Sequence, residues 1–269
     1  MKTSPNQNLF LGASLLTGEL VLTIVIASVV KLLEPQIPIF QILLCRYLFC
    51  LPLLVIYGRM SLGRQFLKIT NTRILFLRTF CGFIGLLFWY LAVAKIDISL
   101  ATVLLSTMPL FITLLSALIA HESIGIRRTL AVIFGFAGVL LILLPIRADF
   151  SLIGASYALL GALFAGLMFV FIRMLGKSDA SISTAIWYNA FGLLASGIIC
   201  IISTDFQFVD YTKTDALHPW ALLIAIGIMA SFQQFCLAES HRYADASALA
   251  PLHYLSIPVS VIIGIILFG

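Results

Sequence analysis

Glu19 and Arg46 are the residues whose position most demands a chemical reason. Each falls near the middle of a run of about twenty apolar residues, where a charge costs a few kcal/mol on insertion scales. A carboxylate and a guanidinium at such depth admit two readings. They face a central cavity, where one or both bind a charged solute or carry a proton, or they form a buried ion pair that locks two helices. Arg78 lies about one turn inside the third apolar run and is long enough to snorkel to the interface. It shares a helical face with Gly82, Gly85 and Trp89 by i, i+4, i+7, i+11 spacing. An arginine, a close-packing stretch and an aromatic on one stripe suit the wall of a pathway.

Uncharged polar residues cluster in two further places. Thr102, Ser106, Pro109, Thr113 and Ser116 form a polar stripe in the fourth run. His253, Ser256 and Ser260 lie on one face of the last run, with Tyr254 beside them and prolines at 251 and 258. Proline frees backbone carbonyls and bends a helix, which lipid tolerates only where protein or water satisfies those groups again. Both runs are therefore expected to wall a cavity. Gln233 and Gln234, and Tyr188 and Asn189, suit interhelical hydrogen bonding or a ligand contact; of the glutamines, Gln234 is taken as the site candidate. Gly154, Ala158, Ala162 and Gly166 recur every four residues, a spacing that lets helices approach closely. Cys45, Cys50, Cys81, Cys200 and Cys236 all fall in apolar runs without metal-ligand spacing and read as small hydrophobes.

What positions these side chains follows from composition. Of 269 residues, 62% are hydrophobic and 10% charged, against roughly 25% charged in a soluble domain, so lipid is the solvent. Nine apolar segments emerge, at about 9–30, 37–57, 74–94, 98–120, 129–146, 150–172, 180–204, 216–238 and 246–269. They are continuous rather than alternating, which excludes a β-barrel and leaves helices. The first is long enough to span and lacks a small-residue cleavage site, so no cleavable signal peptide is expected. With the N-terminus inside, the cytoplasmic loops hold ten Lys and Arg residues and the opposite loops four. That bias predicts a cytoplasmic N-terminus and, after nine crossings, an extracytoplasmic C-terminus.

An internal echo adds a plan. Asp97 opens D-I-S-L-A-T with Pro109 downstream, and Asp245 opens D-A-S-A-L-A-P with Pro258 downstream. Each stretch is the fourth helix of a five-helix unit. An odd number of helices turns the second copy over, the inverted-repeat plan of many secondary transporters. The expected fold class is an all-α polytopic membrane protein, an inverted repeat of two five-helix halves with nine transmembrane helices present. Residues 1–146 form the first repeat and 147–269 the second.

Several stretches resemble the EamA-like branch of the drug/metabolite transporter superfamily. They are Arg46 in the second span, R-T-F-C-G at Arg78, A-T-V-L-L-S-T-M-P-L-F-I-T-L-L-S-A-L-I-A-H-E ending at Glu122, G-F-A-G-V-L-L-I-L-L-P, and A-D-A-S-A-L-A-P-L-H-Y. The resemblance covers essentially the whole chain and implies a ten-helix transporter of small metabolites. Glu122 follows Pro109 by thirteen residues; the same spacing from Pro258 points beyond residue 269, so a tenth helix is missing from this sequence.

The expected function is therefore a secondary transporter moving a small organic metabolite across the inner membrane by alternating access. The alternative is a transport-inactive or regulatory membrane protein. An enzyme is not expected. His121–Glu122 has no second histidine at the zinc-protease spacing, no aspartate lies deep in a span, and no serine elbow has a partner histidine. No cofactor, metal or nucleic acid is expected. The expected partners are a small-molecule substrate and the lipid bilayer, with room for a homodimer. The A-P-x-H/R-Y-L pattern of the last span looks most like branches that import S-adenosylmethionine or riboflavin.

Overall fold

Apolar runs of this length must satisfy their backbone internally, and in the computed structural model of the chain they do so as helices. The structure describes residues 8–34, 36–120, 130, 134, 137–138, 151–176, 178–202, 217–243 and 250–268. The helices are α1 (Leu9–Leu33), α2 (Ile39–Leu62), α3 (Thr72–Lys95), α4 (Ile98–Leu105), α5 (Met108–Ala120), α6 (Leu152–Leu175), α7 (Ser181–Ile202), α8 (Leu217–Tyr243) and α9 (Ser256–Phe268). Short 3₁₀ turns, Gly63–Gln65 and Ala250–Leu255, follow α2 and precede α9. The fold is all-α, and seven of the described helical stretches are long and apolar enough to cross a membrane. The expected fifth span lies almost entirely outside the described residues. The expected ninth is the shorter apolar stretch Leu252–Phe268.

Helix starts follow local chemistry. Asn8, Asn71 and Ser151 accept the backbone N–H of Leu11, Ile74 and Gly154, satisfying a donor that the first helical turn leaves open.

The fourth span is not one continuous helix. It breaks between Leu105 and Met108. Pro109 has no N–H for the carbonyl of Leu105, and its ring crowds that carbonyl. The Thr102, Ser106 and Thr107 hydroxyls turn back onto main-chain carbonyls there, which further bends a helix. The ninth span has the same construction. Pro258 stands four residues after Tyr254, and the 3₁₀ turn gives way to α9 immediately after Leu255.

The chain forms two compact units that do not coincide with its two halves. The first comprises Met1–Ile69 and Ala180–Gly269. In it α8 packs on α1 and α2, α7 packs on α2, and the Ala250–Leu255 turn and α9 lie along α1. Lys31 sits 5.4 Å over the ring of Phe268, and Trp187 donates to the carbonyl of Leu67 in the connection after α2.

The second unit is Thr70–Asp179, in which α6 is the hub against α3, α4 and α5. Apolar burial between helices gains little in lipid, so packing density and small residues decide such contacts. A Cβ at Gly154 would meet Ile96 at 2.6 Å, one at Gly166 would meet Phe111 at 3.0 Å, and one at Gly85 the Ala165 backbone at 3.1 Å. The four-residue stripe of small residues on α6 is thus a packing face. At the end of this unit Asp179 accepts the Thr70 N–H and the Ser178 hydroxyl. Burial pushes the Asp179 carboxyl up slightly, but hydrogen bonds from Ser178, Thr70 and Asn71 outweigh it and hold the group below its usual range.

Candidate functional site

Three helices of the first unit bring the deepest charges together. Glu19, on α1, is 7% exposed, and Arg46, on α2, is 2% exposed. Thr23 follows Glu19 by one helical turn, and side chains at that spacing meet. Its hydroxyl reaches Glu19 Oε1 at 2.8 Å and the Glu19 carbonyl at 3.0 Å. From α8, the Gln233 amide nitrogen donates to Glu19 Oε1 at 3.1 Å and to Thr23 Oγ1 at 2.8 Å. The other end of the same amide, Oε1, faces Arg46 Nη2 at 3.5 Å. The guanidinium also lies over the ring of Tyr47, 4.9 Å from its centroid.

This arrangement revises the ion-pair reading. Gln233 stands between Glu19 and Arg46 and links them, so the connection is a carboxylate–amide–guanidinium chain. It also moves the weight from Gln234 to its neighbour. Gln234 is buried, but successive residues on a helix point about 100° apart, and the face of α8 toward α1 and α2 carries Gln233. The sequence reading named Gln233 only as an interhelical hydrogen-bonder beside Gln234, and it did not name Thr23, for which the signal was the i, i+4 spacing from Glu19.

Around the cluster the same unit supplies further order. Tyr47 and Tyr188 place their hydroxyls 3.1 Å apart, with rings edge to face. Gly192 gives the Tyr47 ring its space, since a Cβ there would run into that ring. Asn189, fully buried one residue on, donates to the Ala185 carbonyl. Beside Glu19 on α1 lies an apolar patch. Leu16 and Leu20 are buried against Ala13, Leu237 and Leu252. Nearer the end of α8, Tyr57 donates to Glu239 at 2.9 Å.

The other candidates lie elsewhere. Arg78 and Trp89 are buried at 4% exposure on α3. Gly85, between them on the same stripe, abuts α6, and a Cβ at Gly161 would meet the Trp89 backbone at 3.3 Å. Ser106 sits at the α4–α5 break, and Thr113 donates to the carbonyl of Pro109. These four belong to the second unit. His253 is half-buried in the turn before α9, and the neighbouring Tyr254 is 49% exposed.

A cluster of both charge signs, whose two charged members are buried among apolar helices, suits recognition of a polar solute rather than covalent chemistry. Comparison with known proteins decides the family. The EamA-like transporter family description matches residues 10–144 and 152–269. The chain belongs to the EamA-like transporter family. It is 30% identical over 239 residues to a riboflavin transporter of Vibrio cholerae, covering 87% of this chain and 76% of that protein. It is 27% identical to an S-adenosylmethionine uptake transporter of Rickettsia bellii, covering 89% and 79%. It is 25% identical to the pseudopaline exporter CntI of Pseudomonas aeruginosa, covering 76% and 69%. No solved structure matches the chain. As an EamA-like protein the chain is a multi-pass membrane transporter of the metabolite-carrying kind, not an enzyme.

Proposed function

We propose that the protein moves a small organic metabolite across the bacterial inner membrane by alternating access, with Glu19, Gln233 and Arg46 at the heart of the solute site. The observation that carries this reading is the buried cluster itself. Charges of both signs sit near the middle of apolar helices, where they cost most and where transporter sites are usually built. Arg78, Trp89, Ser106, Thr113, Gln234, His253 and Tyr254 are proposed as further lining or positioning residues.

Two findings support an inverted-repeat plan for residues 1–146 and 147–269. The family description matches in two stretches that correspond to these halves. The packing partners also exchange consistently: α1 with α8 answers α6 with α3, and the broken fourth span on α6 answers the broken ninth span on α1. Pro109 and Pro258 both fall in the first turn of thirteen-residue helices, at the second and third residue respectively. Such a plan gives two related states by rocking one set of helices against the other.

The transport reading is tested by uptake into proteoliposomes against a metabolite panel that includes riboflavin, S-adenosylmethionine and amino acids. Saturable accumulation above empty vesicles is expected for at least one compound.

The proposed topology places the N-terminus in the cytoplasm, from the ten-to-four excess of loop cations. Reporter fusions at Lys177 and Lys213 should then read cytoplasm and exterior respectively. The reverse pattern would overturn the orientation.

A further inference from the structure

Resting on that reading, we infer that Glu19 and Thr23 at one end and Arg46 at the other form a receptor for a zwitterion, an α-amino-acid-type head group, and that Gln233 occupies it as an internal surrogate. The polarity of the amide carries the argument. Its N–H end points at the carboxylate of Glu19, at 3.1 Å, and at Thr23 Oγ1, at 2.8 Å; its carbonyl end points at the guanidinium of Arg46, at 3.5 Å. An α-amino acid has the same sense: a nitrogen donor at one end, an oxygen acceptor at the other, and a short covalent spacer. A solute ammonium would take the place of Nε2 against Glu19 and Thr23. The solute carboxylate would take the place of Oε1 against Arg46, whose planar fork suits a carboxylate better than an amide oxygen.

Relative strengths favour the exchange. The surrogate meets Glu19 and Arg46 with a neutral amide, whereas the zwitterion would meet each with an opposite charge, adding a Coulomb attraction that is strong away from water. The 3.5 Å contact to Arg46 is at the outer limit of a hydrogen bond, so the guanidinium end is the easier one to displace. Between transport events Gln233 gives Glu19 and Arg46 each a polar neighbour, which lessens the cost of burying them. A solute with only one of the two charges gains one contact and leaves the other residue facing a displaced amide.

The test uses the intact chain, purified in lipid nanodiscs, with thermal stabilisation as the binding readout. The probes are the L-amino acids, S-adenosylmethionine, and for each compound that binds its α-hydroxy analogue, which lacks the ammonium, and its amide, which lacks the carboxylate. Riboflavin completes the set. At least one zwitterion is expected to stabilise the protein, and its two analogues to bind at least about tenfold more weakly, the equivalent of one hydrogen bond to a charged group. Gln233→Ala should bind that zwitterion more tightly, by about tenfold, because the competitor is gone. Should Gln233→Ala fail to fold, the analogue series on the native chain decides alone. Equal binding of zwitterion and analogues, no binding by any zwitterion, or weaker binding by Gln233→Ala would overturn the surrogate role. Saturable uptake of riboflavin uninhibited by zwitterions would also overturn it, while leaving the transport reading intact. Absence of uptake for the whole panel would count against the transport reading itself.

Discussion

Glu19→Gln is expected to lower uptake by roughly two orders of magnitude while folded yield stays near that of the native protein. Gln at position 19 keeps an oxygen that accepts from Thr23 and from Gln233, the two hydrogen bonds that Glu19 makes in the structure. Only the charge is lost. Removing one member of a buried charged network costs about 2–5 kcal/mol where the charge is used in binding, and 2.8 kcal/mol is a factor of about one hundred. A merely structural Glu19 predicts a different pattern. Yield would then fall because the buried network loses the negative charge that balances Arg46 through Gln233, and combining Glu19→Gln with Arg46→Gln would restore both yield and uptake. Initial uptake rates and detergent-extracted yield, measured on the single and double variants, separate the two.

Gly227→Ala is expected to destabilise the protein by about 2–3 kcal/mol and to lose most of the solute affinity with it. A Cβ at Gly227 would collide with the Cβ of Phe49, and the Phe49 main chain lies close behind it. A backbone neighbour cannot rotate away, so α8 must move off α2, and overpacking of this kind costs about 1–3 kcal/mol. The same movement draws Gln233, on α8, away from Arg46, three residues before Phe49 on α2. Gly197→Ala is the matched comparison. Its nearest contact is a methyl of Leu44 at 3.7 Å, so it should leave stability unchanged or raise it slightly through better helix propensity. Thermal unfolding of both variants checks the pair, and equal effects would contradict the packing account.

Sequence legibility differed between fold and site for physical reasons. Apolar runs bounded by charges locate the described membrane-crossing helices, because hydropathy is a property of the run itself. The proline breaks at Leu105 and Tyr254 were legible for the same reason, since the lost N–H belongs to one residue. Glu19 and Arg46 stood out by cost. Their mediator did not, because which of two adjacent glutamines faces α1 depends on the rotation of α8. The twofold composition of the compact units was equally hidden, for it depends on which distant helices meet.

The central claim is that this transporter holds its solute on the charged cluster of α1, α2 and α8. Its most direct test is uptake of the metabolite panel into proteoliposomes bearing either the native chain or Glu19→Gln, across several pH values. Saturable accumulation of one zwitterionic compound by the native chain, and its near-complete loss in Glu19→Gln at every pH, is the predicted result. Full uptake by Glu19→Gln throughout that range would contradict the account.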